Sequence, residues 1–117
     1  MTHNRSLSPS VDFLYSDDCP AHEQALELLQ DTLKEQGVHA DIHVQRVETQ
    51  REAEALRFPG SPTIRIAGQD IDPTPEASVG LACRAYLHDN GHISPVPPKN
   101  KIIEALLLAA SKTYFKS

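Results

Sequence analysis

The order of apolar patterns in the first half of the chain constrains the fold more than any other sequence feature. Val11–Tyr15 is a mostly apolar run between turn residues, which is typical of a buried strand. A helix is predicted from Pro20, with apolar residues at helical spacing as far as Leu33 and with Gly37 at its end. Residues 40–47 alternate between apolar and polar, which predicts a second strand. A strand–helix–strand unit requires parallel pairing with a right-handed crossover, so the sequence predicts an α/β fold.

The remaining patterns predict a short helix, a hairpin and a final helix. The short helix covers residues 49–57, and the hairpin joins a strand at 63–67 to a strand at 70–72 through a turn at residues 68–69. The final helix covers residues 99–115. Its predicted buried face consists of the apolar side chains Ile102, Ile103, Leu106, Leu107 and Ala110. The predicted architecture is a mixed four-stranded sheet flanked by helices.

Residues 73–98 form a proline-punctuated segment that separates the fourth strand from the final helix. Residues 81–87 fit either a helix or a strand. The Asn-Gly pair at residues 90–91 is a strong signal for a two-residue turn, and it favours an extra hairpin that pairs residues 83–87 with 92–96.

Composition limits the number of domains and the class of partner. The 117 residues predict one domain over residues 11–117, after a disordered lead-in at 1–10. The net charge of -5 argues against nucleic-acid binding, and no apolar run approaches the ~20 residues of a membrane span. The polar start has no secretory signal, which predicts a cytoplasmic protein. There, Cys19 and Cys83 are expected to be reduced, and two cysteines are too few for a disulfide framework.

The segment from Cys19 to His22 has the strongest chemical signal. A thiol at the start of a helix faces unpaired N–H groups and the positive end of the helix dipole. Both favour the thiolate, and the dipole alone contributes about 0.3–1 kcal/mol. His22 lies three residues on and could bond the thiolate or join it as a metal ligand. Asp17 and Asp18 oppose the thiolate through their negative charge. Cys19 is therefore predicted to be more reactive than Cys83.

The Cys-Pro helix start at Cys19 and the Gly-Ser-Pro-Thr strand start at residues 60–63 resemble the thioredoxin and glutaredoxin fold. The resemblance covers roughly residues 11–72, with the final helix as a further match. It implies that Cys19 is the nucleophilic cysteine and that Pro62 is a cis-proline facing it. His22 occupies the place of the second cysteine of the Cys-x-x-Cys motif, and no Gly-Gly pair follows the hairpin to bind glutathione.

Residues 80–86, Gly-Leu-Ala-Cys-Arg-Ala-Tyr, are not part of the usual core of either family. This segment is similar to a group of small bacterial thioredoxin-like proteins, some of which carry mercury-resistance or alkylmercury-lyase labels. True organomercurial lyases use paired cysteines and an acid on a different fold. The resemblance implies no bound cofactor.

Three functional hypotheses follow from these residues. In the first, Cys19 is the reactive thiolate in thiol–disulfide exchange with a protein or a small molecule, and Cys83 resolves the mixed disulfide if it is near. In the second, Cys19, His22 and Cys83 bind a soft metal ion such as mercury, copper or zinc. In the third, the chain is a binding module without catalysis. The distance between the two cysteines discriminates among them, because Cα atoms beyond about 7 Å cannot form a disulfide without backbone movement.

Overall fold

The computed structural model of the protein describes residues 8–74 and 78–116. The helices and strands within these ranges are, in chain order, β1 (Val11–Tyr15), α1 (His22–Glu35), β2 (Ile42–Arg46), α2 (Gln50–Leu56), β3 (Thr63–Ile66), β4 (Gln69–Asp70), β5 (Tyr86–Leu87), β6 (Ile93–Ser94) and α3 (Lys99–Lys116). None of the helices in the described ranges has the length and apolar character needed to cross a membrane.

Strands β1 to β4 form a mixed sheet in the order β2-β1-β3-β4. Strand β1 pairs in parallel with β2 and antiparallel with β3, and β3 and β4 form a hairpin. The predicted α/β fold with a mixed four-stranded sheet is therefore confirmed. The hairpin turn lies at Ala67 and Gly68, one residue earlier than predicted. Both residues have positive φ, 54° and 79°, as a two-residue turn that matches the twist of a hairpin requires.

The main core lies between the sheet and the helices α1 and α3. Its buried members are Val11, Phe13, Ala25, Leu29, Leu33, Ile64, Ile66, Ile71, Ile102, Leu106 and Ala109. A smaller core contains Leu14, Val47, Ala53 and Phe58, and Ala53 belongs to α2. Successive side chains of a strand point to opposite faces, so Phe13 joins the main core and Leu14 the smaller one.

Helix α1 begins at His22, two residues after Pro20, where the sequence places its start. Cys19 and Pro20 therefore lie in the turn that precedes the helix. Helix α1 ends as predicted, because Gly37 follows the C-cap Gln36 with a φ of 69°.

Two predictions about buried faces are wrong. Leu107 is 63% exposed and Ala110 is also exposed, whereas Ala109 is buried. Ile102, Leu106 and Ala109 follow one another at the helical intervals i, i+4 and i+7. Val44, an apolar residue of the alternating pattern that predicts β2, is 46% exposed, because β2 is the outermost strand on its side of the sheet.

The extra hairpin is confirmed, although it is shorter than predicted. Strands β5 and β6 pair antiparallel with Leu87 opposite Ile93, and the connecting turn closes with the Gly91 N–H donating to the His88 carbonyl at 2.9 Å. Residues 1–7 of the predicted lead-in lie outside the described residues. Ser10, at its end, accepts a hydrogen bond from the Ala67 N–H at 2.8 Å.

Candidate redox site

A disulfide joins Cys19 to Cys83, which are 64 residues apart in sequence. Their Cα atoms lie 5.1 Å apart, within the range that a disulfide requires. The expectation of two reduced cysteines thus differs from the structure. The reason is the fold of residues 80–86, named the strap here, which crosses the end of the sheet and brings Cys83 to Cys19.

Backbone pairing with Ser61 places the strap over Cys19. The Ser61 N–H donates to the Ala82 carbonyl at 2.8 Å, and the Arg84 N–H donates to the Ser61 carbonyl at 2.8 Å. These two bonds form an isolated parallel bridge between Ser61 and Cys83. Cys83 is therefore held from both sides by main-chain hydrogen bonds as well as by its sulfur.

Two buried serines connect the strap to the end of β1. The Ser16 N–H donates to the Ser61 hydroxyl at 2.9 Å, and the Ser16 hydroxyl donates to the Leu81 carbonyl at 2.5 Å. The Ser16 carbonyl accepts the N–H of Cys19 at 3.3 Å. Ser16 thus touches the strap, the loop that carries Cys19 and the start of β3 at once.

Arg84 anchors the strap to β4. Arg84 is 7% exposed, and its Nη1 donates to both carboxylate oxygens of Asp70 at 3.1 and 2.9 Å. Its Nη2 donates to the Asp72 carbonyl at 2.6 Å, and the guanidinium carbon lies 4.5 Å from the centre of the Tyr86 ring. The buried cation is thus paired and hydrogen-bonded, as burial of a charge requires.

Tyr86, the last residue of the strap, is a second anchor on the same side of Cys83 as Arg84. The ring is fully buried, and its hydroxyl donates to the Pro62 carbonyl at 2.6 Å. Burial raises the pKa of Tyr86 well above its usual value, so the phenol keeps the proton that this bond needs. The Ser61–Pro62 peptide bond is cis, as the resemblance implies.

Gly60 allows the strap to approach β3 closely. Its φ is +140°, a conformation that side chains rarely adopt. A Cβ built on Gly60 would lie 2.8 Å from Arg84 Cγ and 3.1 Å from the Ala82 carbonyl oxygen. The backbone of the strap therefore occupies the space that a side chain would need.

His22 contacts the backbone of Cys19. Its Nδ1–H donates to the Cys19 carbonyl at 3.0 Å, and its ring stacks on Tyr15 with the centroids 4.4 Å apart. In the part of the chain that the structure describes, no three His, Cys, Asp or Glu side chains are arranged to hold a metal ion. Of the three predicted metal ligands, the structure brings together the sulfur atoms of Cys19 and Cys83. His22 contacts the backbone of Cys19 instead.

The charges beside the site partly compensate one another. Asp17 and Glu48 pair with Arg46 at 3.1 and 3.0 Å, and the hydrogen bond to Glu48 is the main cause that raises the pKa of Arg46. These side chains line a cavity of about 170 Å³ that Asp18 and Leu81 also border. The negative charge of Asp17 would repel a thiolate at Cys19, and the positive charge of Arg46 reduces this repulsion.

Sequence reasoning found the two cysteines, His22 and Pro62 but missed the residues that hold the strap. The sequence carried no signal for them, because the buried residue Arg84 is of a usually exposed type while its apolar neighbours Cys83 and Ala85 are exposed. No family model, curated protein or solved structure matches this chain. Its function is therefore inferred from the residues and geometry of the site.

Proposed function

We propose that this protein carries out thiol–disulfide exchange with Cys19 and Cys83 as its reversible pair. The observation that carries the proposal is the disulfide between them, with the Cα atoms 5.1 Å apart. Cys83 takes the part of the second cysteine, whose place in the Cys-x-x-Cys pattern His22 occupies. The order of elements from β1 to β4, together with α3 packed on α1, supports a thioredoxin-like arrangement.

The contacts of the strap favour a reversible disulfide over a purely structural one. The bridge at Ser61 and the anchors at Arg84 and Tyr86 hold the strap on both sides of Cys83 without the sulfur bond. The Cys83 residue is exposed, so a thiol from solution can approach it. Exposed disulfides are generally the labile and catalytic ones.

The overall exchange conserves atoms and electrons. The dithiol form gives two electrons and two protons to a partner disulfide, which leaves as two thiols while the Cys19–Cys83 disulfide forms. In the opposite direction, a partner dithiol is oxidised while Cys19 and Cys83 become thiols. The partner is a thiol or disulfide of a protein or a small molecule.

Thiol titration followed by a disulfide-reduction assay tests the proposal. The reduced protein should show two thiols per chain, and a mild oxidant should remove both without forming a dimer. With a dithiol reductant as electron source, the protein should then accelerate reduction of a protein disulfide. Two thiols still free after oxidation, with no acceleration, would support the binding module without catalysis.

The single variants Cys19→Ser and Cys83→Ser are matched controls. Each keeps one thiol and therefore cannot complete the exchange within one chain. Both should stop at a mixed disulfide with the substrate and lose multiple turnover. Full activity in either variant would contradict the use of the pair.

Capture of a soft metal ion by the reduced pair is a second candidate. The observation in its favour is the same closeness of the two sulfur atoms, since thiolates select soft metals. One mercuric or cuprous ion per chain should then protect both thiols from alkylation, and the protein should show no turnover with disulfides. Activity in the reduction assay would favour exchange instead.

A further inference from the structure

The two cysteines of the disulfide differ sharply in accessibility. Cys19 is 0% exposed, whereas the Cys83 residue is exposed to solvent. The extended chain at residues 83–87 alternates, so that Arg84 and Tyr86 are buried while Cys83, Ala85 and Leu87 are exposed. Solvent therefore reaches residue 83 of the bonded pair, whereas Cys19 is covered.

The burial of Cys19 does not depend on the sulfur bond alone. Ser61 bonds the backbone at Ala82 and Arg84, one residue to either side of Cys83. Each such hydrogen bond stabilises the docked strap, and the bonds from the charged Arg84 guanidinium stabilise it more than bonds between neutral groups do. We therefore expect the strap to stay over Cys19 when the disulfide is reduced.

We propose that Cys83 is the sulfur that exchanges with the partner and that Cys19 is the resolving sulfur behind it. This order is the reverse of the one that the sequence predicts, and it rests on the proposed exchange function. The structure supports it through access, because the rate of exchange depends on which sulfur an incoming thiolate can reach.

Each step is a displacement at sulfur that forms one bond and breaks one. A partner thiolate attacks Cys83 Sγ, and the electron pair of the broken bond goes to Cys19 Sγ, which leaves as a thiolate. In the reducing direction, the Cys83 thiolate attacks the partner disulfide and releases one partner thiolate. Cys19 then attacks Cys83 Sγ, releases the second partner thiolate and re-forms the internal disulfide.

The position of Cys19 suits a leaving group. It precedes the 14-residue helix α1 by a short turn, and the N-cap residue Ala21 provides no side-chain acceptor to the first N–H groups. The positive end of the helix dipole favours negative charge there. A sulfur whose negative charge is stabilised leaves faster, so attack on Cys83 is favoured over attack on Cys19.

Trapping the first mixed disulfide tests the assignment on the unaltered protein. The oxidised full chain is treated briefly with 2-mercaptoethanol, quenched in denaturant that contains excess N-ethylmaleimide, so that a covered thiol is also alkylated, and digested with trypsin. The two cysteines fall in separate peptides, since Lys34 and Arg65 lie between them. At the earliest times, we expect mercaptoethanol on Cys83 and maleimide on Cys19 in roughly tenfold excess over the reverse pattern.

The opposite distribution, or an equal one, would overturn the assignment and leave the exchange function intact. No adduct on either cysteine, even with excess thiol, would overturn the exchange function and the assignment together. The two failures are therefore distinguishable in one experiment.

The single variants give an independent measurement. With an aromatic disulfide reagent, Cys19→Ser should react through Cys83 roughly tenfold faster than Cys83→Ser reacts through Cys19. A larger reagent should widen this ratio, because only Cys19 is covered. A faster reaction of Cys83→Ser with both reagents would contradict the assignment.

Discussion

The guanidinium of Arg84 links the strap to the end of the hairpin that β3 and β4 form. It pairs with Asp70, bonds the carbonyl of Asp72 and lies over the ring of Tyr86. Arginine suits this place because its several donors point in fixed directions. The position of Cys83, one residue before it, is therefore set by a buried ion pair.

Replacing Arg84 with methionine should test this anchor. The Asp70 carboxylate, whose side chain is 16% exposed, would lose its cation, so we expect the free energy of unfolding to fall by about 3 kcal/mol. The disulfide should also form more slowly after reduction. Urea unfolding and the rate of thiol loss under mild oxidant measure the two effects.

Arg46→Met is the matched control for Arg84→Met. The Arg46 side chain is 47% exposed in its pair with Asp17, where water already screens the charges. Its effect on unfolding should be much smaller, and disulfide formation should slow less than in Arg84→Met, through the uncompensated charge of Asp17 alone. Equal effects of the two variants would show that burial of Arg84 is not the cause.

Gly60→Ala should displace the strap. The new Cβ would meet Arg84 Cγ, and the backbone at φ +140° adds strain of about 1–3 kcal/mol. We expect lower stability and a larger fraction of reduced protein at equilibrium with a dithiol buffer. Gly37→Ala is the control, since its φ is also positive while nothing lies within 4 Å. A loss of disulfide in both variants would point to backbone strain alone.

A helix or strand was predictable when the spacing of its own apolar residues identifies its type and its buried side. Val11–Tyr15 is found as predicted, because a buried strand shows its pattern within five residues. The buried face of α3 was not predictable, since residues 105–110 are all apolar and give no preferred side. Helix α1 begins late because Pro20 is compatible with a turn as well as with a first helical position.

The strap was the element least open to prediction. Its pairing with Ser61 joins residues that are distant in sequence, and no local period encodes such a contact. Arg84 in particular is of a residue type that is usually exposed. The two cysteines of the site could be named from the sequence, but their closeness and the burial of Cys19 could not.

Docking of the strap through Tyr86 should make stability depend on alkaline pH. The pKa of Tyr86 is raised in the folded protein, so the unfolded chain loses this proton first, from about pH 10. Stability should therefore be complete below that pH and fall above it. Urea unfolding at about pH 9 and about pH 11 measures the fall.

Tyr86→Phe is the control for this pH dependence. It should be less stable at neutral pH by about 1 kcal/mol through the lost bond to Pro62. Its further loss between the two alkaline conditions should be smaller than that of the wild type. The same alkaline loss in both proteins would place the titrating group elsewhere.

At the scale of the whole molecule, the disulfide couples stability to redox state. It closes a loop of 64 residues, for which the loop-entropy relation gives about 4 kcal/mol in favour of the oxidised form. Urea unfolding with and without a dithiol reductant should reveal this difference. Cys83→Ser, which cannot form the bond, should unfold identically in both conditions. Equal stability of oxidised and reduced wild type would contradict the prediction.

The bond between Cys19 and Cys83 also determines which part of the chain carries a pulling force. A force that pulls the two ends apart passes from the first segment to the last through the sulfur atoms, and the 64-residue loop between them carries no load. The strands β1 and β2 lie on opposite sides of that junction, because β1 precedes Cys19 and β2 lies within the loop. Cleaving the bond would add about 220 Å of extensible chain, at roughly 3.4 Å per residue. When the molecule is stretched between its two ends, the reduced form can therefore reach a greater maximum extension than the oxidised form.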